Sequence, residues 1–145
     1  MAYRFRLEAV LNYRRNLEEL AQQALVEAEG LLARHLARLT ELEDDLAQAI
    51  AAFEERKQRS MPAPLYALHA QGIEQREREI ASQQQLVASQ QLAVSKARDE
   101  LLTRVQERKI MEKAREKDQA NYLHEQLRKE QNEMDEQMVL RFKGQ

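Results

Sequence analysis

The chain has 145 residues with three glycines, two prolines, 5% aromatic residues and 33% charged ones, which is too little bulk to build a rounded core. A net charge of -2 and a pI near 6.0 give no electrostatic reason to expect nucleic acid or an anionic membrane as partner. The absence of cysteine excludes disulfides and thiolate metal sites.

The richness in Ala, Glu, Gln, Leu, Lys and Arg is that of long solvated helices or coiled coils. Met1 to Arg15 has no apolar stretch of the secretory kind. The charge-free run from Ile80 to Ser95 is interrupted by five glutamines, so direct membrane insertion is not expected and the protein reads as soluble.

From Tyr3 onward, apolar residues at Leu7, Val10, Leu11, Leu17, Leu20 and Ala21 recur at helical spacing. The stripe then tightens into a heptad seam running Leu25, Ala28, Leu32, His35, Leu39, Leu42, Leu46, Ala49 and Phe53, a pattern that needs another helix alongside. Arg56, Lys57 and Arg59 supply positive charge where a helix end favours it. Ser60-Met61-Pro62-Ala63-Pro64 is then the one instruction to stop, since proline removes a backbone donor and restricts the residue before it.

A second helix restarts with Leu65, Leu68 and Ile73, with Gly72 expected to delay its regular part. Ile73, Ile80, Val87, Val94 and Leu101 recur every seven residues, while the complementary row is read as Glu77, Gln84, Gln91 and Arg98, with Leu86 and Leu92 widening the stripe. The predicted fold is all-α: a long two-helix antiparallel coiled-coil hairpin in one domain, with helix 3–59, turn 60–64 and helix 65–142.

Folding at residue 62 sets residue i opposite roughly 124 minus i, so Met1 lies near Leu123 and the second helix overhangs by about 20 residues, about 30 Å at 1.5 Å per residue. Leu123, Leu127, Met134, Met138 and Phe142 continue an apolar stripe along this overhang, either an interface or a frayed tail. The mixed charges from Arg104 to Asp118 read as a solvated face laced by pairs such as Arg108 with Glu112, or as a docking surface for an acidic partner. Tyr3, Arg4, Phe5, Arg6, Tyr13, Arg14 and Arg15 gather the residue types that anchor protein interfaces at the open end of the hairpin.

No catalytic, cofactor-binding or metal-binding constellation is present in the pattern. His35, His69 and His124 lack ligand spacing, no glycine-rich phosphate loop exists, and the acidic run Glu43-Asp44-Asp45 has no cleft to shift its pKa values. An interaction protein is expected rather than an enzyme.

The opening Phe5-Arg6-Leu7-Glu8 with Val10-Leu11, Arg14, Arg15 and Glu19, and the closing Glu107-Arg108-Lys109, Glu112-Lys113, Tyr122, Glu130-Gln131 and Met134-Asp135-Glu136, resemble the flagellar export protein FliJ family. The similarity covers about the first 25 and the last 40 residues, between which the match is helicity alone. The resemblance implies a cytoplasmic component of the bacterial flagellar type III export apparatus, peripheral at the inner face of the cell membrane at the flagellar base. It implies a stalk-like coiled coil that associates with a ring-shaped export ATPase, the cytoplasmic domain of the export-gate membrane protein, and export chaperones. By position, the ATPase contact is expected at the open end, on Leu7, Leu11, Tyr13, Leu123, Leu127, Met134 and Met138, and the gate contact near the turn, on Phe53, Leu65, Tyr66 and His69. Three alternatives share the periodicity: the counterpart protein of a virulence type III secretion system, a prefoldin-type chaperone, which would need β-strands not evident here, and a passive spacer.

Overall fold

A computed structural model describes residues 2–144. It contains two helices, α1 (Glu8–Lys57, 50 residues) and α2 (Ala63–Lys143, 81 residues), packed as an antiparallel hairpin with α2 the longer arm. Packing divides the chain into two compact units, one made of the stretches up to Leu20 and from Leu102 onward, the other Ala21–Leu101.

In the Ala21–Leu101 unit, the α1 seam faces inward as its spacing dictates. Ala21, Leu42 and Phe53 are buried, and Leu25, Ala28, Leu32, His35, Leu39, Leu46 and Ala49 are half-buried between them. On α2 the buried row contains Val87 and Val94, but the complementary row differs from expectation by one residue. Arg76, Gln83, Gln90 and Ala97 turn inward, whereas Glu77, Gln84, Gln91 and Arg98 are exposed, as are Leu86 and Leu92.

The reason lies in the alternation of three- and four-residue steps, which from Ile73 takes the short step first, and in what glutamine can do at a seam. Gln83 Nε2 donates to the His35 carbonyl at 2.9 Å, and Gln90 Nε2 donates to the Ala28 carbonyl at 3.0 Å. A backbone carbonyl has a second lone pair beyond its intrahelical bond, so it can accept both. The two glutamines are seven residues apart, as are the two carbonyls, so these rungs repeat one heptad step along both helices.

Both ends of the turn are satisfied locally. Gln58 N–H donates to the Glu55 carbonyl at 3.3 Å and Arg59 N–H to Arg56 at 3.1 Å, closing α1 with tight i to i−3 bonds two residues earlier than the sequence suggests. The Pro62 carbonyl accepts from Leu65 and Tyr66 N–H, each at 3.1 Å. α2 therefore starts at Ala63 rather than Leu65, because Pro64 lies in the first turn, where its missing N–H is not needed. Gly72 does not delay the helix: Arg76 folds back over it, donating from Nη1 to the Gly72 carbonyl at 3.1 Å and from Nε to Asp45 Oδ2 at 3.0 Å.

Beside the turn, Phe53 is only 6% exposed. Its ring meets Tyr66 at 5.1 Å, tilted by 59°, and stacks on His69 at 5.4 Å, while Lys57 Nζ sits 4.1 Å above it. These contacts join the last turns of α1 to the first turns of α2.

Candidate functional site

In the unit that holds both termini, the chain does not begin as helix at Tyr3. Residues 3–7 form a strap, and α1 starts at Glu8, where Glu8 N–H donates to Phe5 and Leu11 N–H to Leu7. Tertiary contact outweighs helix continuation here. The Tyr3 hydroxyl donates to Asp118 Oδ2 at 2.8 Å and lies 3.4 Å from the Arg115 carbonyl, and its ring packs 5.3 Å from that of Tyr122. Removal from water raises the Tyr3 pKa above its usual value, helped by the hydrogen bond to Asp118 and the negative charge there.

Next to this clasp, Glu107, Arg108, Glu112 and Arg115, among the charges from Arg104 to Asp118, reach across to α1, while Lys109, Lys113, Glu116 and Lys117 are exposed. Arg14 Nη1 pairs with Glu107 at 2.8 Å, and Arg104 reaches the same carboxylate at 3.2 Å. Arg108 holds Glu18 from Nε and Nη2, at 2.5 and 3.3 Å, and Glu112 from Nη1 at 2.9 Å. Arg15 approaches Glu112 at 3.6 Å, and Arg115 approaches Glu8 at 3.6 Å. The two hydrogen bonds from Arg108 to Glu18 stabilise its charged form and raise its pKa. Two of the four arginines at this end are thereby engaged within the chain, while Arg4 and Arg6 remain exposed.

The candidate residues separate sharply by burial. Leu11 is completely buried, so it belongs to the hairpin's own core and presents nothing to a partner. Leu7 and Tyr13 are exposed, as are Leu123, Leu127, Met134 and Met138. From Leu127 to Gly144 every residue is exposed, so the apolar stripe of the overhang has no cover in its own chain. It is also rotated from the hairpin seam. Tyr122 and Gln126 are the half-buried positions here, and Leu123 and Leu127 stand one residue, about 100°, around the helix.

At the turn, Phe53, Tyr66 and His69 are brought together, but Phe53 is buried within the cluster and cannot itself be a contact. Leu65 and His69 are half-buried and Tyr66 is exposed, beside an open groove of about 500 Å³ lined in part by Arg56, Arg59, Met61 and Leu65. Leu68, not among the expected contacts, is 64% exposed on the same stretch. Its place in the apolar restart of α2 suggested burial, and only the packing shows it outward.

Among the described residues, no group of three or more His, Cys, Asp or Glu side chains is placed to hold a metal ion, and no helix is long and apolar enough to cross a membrane.

The family model for the flagellar FliJ protein matches residues 3–145. Among solved structures, that of a putative YscO homolog from Chlamydia trachomatis is similar in fold, with a TM-score of 0.74 and 21% identity over 96% of this chain and 94% of that one. No curated protein sequence matches. Of the residues that carry the sequence resemblance, Glu8, Arg14, Arg15, Glu107, Arg108 and Glu112 take part in ion pairs between the helices, and Glu130, Gln131 and Met134-Asp135-Glu136 stand exposed on the overhang. A match spanning residues 3–145, nearly the whole chain, shows that this protein belongs to the FliJ family.

Proposed function

We propose that the protein is a non-enzymatic, stalk-like component of the bacterial flagellar type III protein export apparatus. It works in the cytoplasm, at the inner face of the membrane at the flagellar base. Its partners are the export ATPase ring, the cytoplasmic domain of the export-gate membrane protein, and export chaperones. The ATPase contact is assigned to the exposed residues of the open end, Leu7, Tyr13, Leu123, Leu127, Met134 and Met138. The gate contact is assigned to the turn, on Tyr66, His69 and Leu65, with Phe53 as the buried support of that surface.

The observation that carries this reading is the uncovered stripe on α2. A passive spacer needs its seam filled and a polar exterior, and gains nothing from methionines and leucines held in water at the end of a continuous helix. Methionine and leucine at helical spacing are suited to a groove on another protein. A second reading, in a virulence type III secretion system, is favoured by the fold shared with the putative YscO homolog.

Co-purification from a flagellated bacterium tests the first reading. The full chain is expected to recover the flagellar export ATPase and gate protein, and a chain lacking Leu123 to Gln145 is expected to lose the ATPase while retaining the gate. Undiminished recovery of the ATPase by the truncated chain would overturn the site assignment. Recovery of a virulence-system ATPase instead would favour the second reading.

A further inference from the structure

The two units are held by different chemistry. Of the seven side chains buried among the described residues, six lie in the Ala21–Leu101 unit, and only Leu11 lies in the unit that holds both termini. The row of α2 that reads Ile73, Ile80, Val87, Val94 and Leu101 continues at the same seven-residue spacing as Arg108 and Arg115, both half-buried. On α1, Glu8, Arg14, Arg15 and Glu18 answer the charges of α2, so the seam is closed here by ion pairs where the other unit uses methyl groups.

That exchange lowers the cost of parting the helices. Arg108 and Glu18 are the least exposed of these groups, at 23% and 14%, and charges so far from water give up in hydration much of what they gain from each other. The pairs of Arg14 with Glu107, Arg15 with Glu112 and Arg115 with Glu8 are 31–43% exposed, where a pair contributes little and salt screens it. In the Ala21–Leu101 unit the pairs of Arg76 with Asp45 and Arg98 with Glu29 accompany a seam already closed by Leu42, Phe53, Val87 and Val94.

We propose that the end of the hairpin holding both termini is a salt-sensitive latch: the stretch 8–20 parts from the stretch 102–118 while the Ala21–Leu101 unit stays paired. Local opening is drawn from the part of a fold with the fewest buried apolar side chains. Parting bares Leu11 together with the half-buried Val105 and Met111, an apolar set that the closed form withholds from any partner. Salt, or a charged surface that competes for Arg108 and Glu18, shifts the balance toward the open form. The latch does not depend on the identity of any export partner.

Hydrogen–deuterium exchange of the full chain, read by mass spectrometry, tests it. At about 50 mM NaCl, peptides from 8–20 and 102–118 are expected to exchange about tenfold faster than those from 28–53 and 73–97, after correction for intrinsic rates. Raising the salt to about 1 M should speed the first two about tenfold further, about a factor of two for each of the four cross-helix pairs, and leave the others within about twofold. The stretches 8–20 and 102–118 should change together, as the two sides of one latch must and a fraying terminus need not. Arg108→Leu, which leaves Glu18 unpaired, should speed exchange on both sides about tenfold at low salt, whereas Arg108→Leu combined with Glu18→Leu should slow it below that of the native chain. Equal protection of the two units at both salt concentrations would overturn the proposal. So would a salt response confined to one of the two stretches or shared by 28–53 and 73–97, or a double variant that exchanges as fast as Arg108→Leu alone.

Discussion

Replacing Gln83 isolates what a polar rung costs and provides in the hairpin. Gln83 is 8% exposed and donates one hydrogen bond to a carbonyl that also has its helical partner. Its two methylenes contribute about 1.6 kcal/mol at about 0.8 kcal/mol each, and its hydrogen bond about 1 kcal/mol. Against these stands desolvation of the amide, about 1–2 kcal/mol. Gln83→Leu keeps the stem's burial, adds about 1 kcal/mol of apolar contact, and removes the hydrogen bond and the desolvation penalty together, so it should stabilise the chain by about 1 kcal/mol. Gln83→Ala loses the stem as well and should destabilise by about 1 kcal/mol. Urea unfolding followed by circular dichroism at 222 nm should therefore separate the two variants by about 2 kcal/mol, with unchanged denaturant slope. If leucine proved as harmful as alanine, the rung would be a source of stability in its own right and not a device that fixes register at the expense of stability.

Leu11→Ala should cost about 2–4 kcal/mol in the same assay, because Leu11 is 0% exposed, whereas Tyr13→Ala, exposed on the same helix, should cost under about 1 kcal/mol. Gly30→Ala should raise stability by about 1 kcal/mol, since a methyl group there meets nothing within 4 Å and alanine is the better helix former. Tyr3 should ionise above the usual tyrosine value in a titration followed at 295 nm, and Tyr3→Phe should remove that late component. Because the folded chain favours the protonated phenol of Tyr3, the clasp's stabilisation should be whole below about pH 10 and fade as pH rises through the raised pKa; identical thresholds in wild type and Tyr3→Phe would refute this.

The hairpin was legible wherever a pattern is local. The α1 seam from Leu25 to Phe53 and the proline turn follow from spacing and backbone chemistry alone, and the unequal arms leave the overhang by subtraction. The second row of α2 was misplaced by one residue because its side chains are polar or small, so hydropathy could not distinguish Gln83 from Gln84. Only the carbonyls of the facing helix make that choice.

The candidate site divides in the same way. Met134 and Met138 were legible because exposure at the end of the longer arm depends on length. Leu11 and Phe53 were not, since a leucine or phenylalanine on an amphipathic helix looks alike whether it fills its own core or awaits a foreign one. The salt bridges of Arg14 and Arg108 join residues about 90 apart in sequence, beyond what i,i+4 reasoning detects.

The turn at Pro62 has one more consequence. Repetitive pairing is most prone to slippage by a whole heptad, which returns seam to seam and would go unnoticed along most of the α1–α2 contact in the Ala21–Leu101 unit. Slippage that moves the bend toward the N-terminus would bring Pro64 into the body of a helix, at about 3 kcal/mol. Slippage the other way would carry Phe53 off Tyr66 and His69 and leave it opposite Ile73 and Arg76, without its aromatic partners. Proofreading of the alignment is thus concentrated in about twenty residues at the bend, and the remaining heptads need only copy the choice made there.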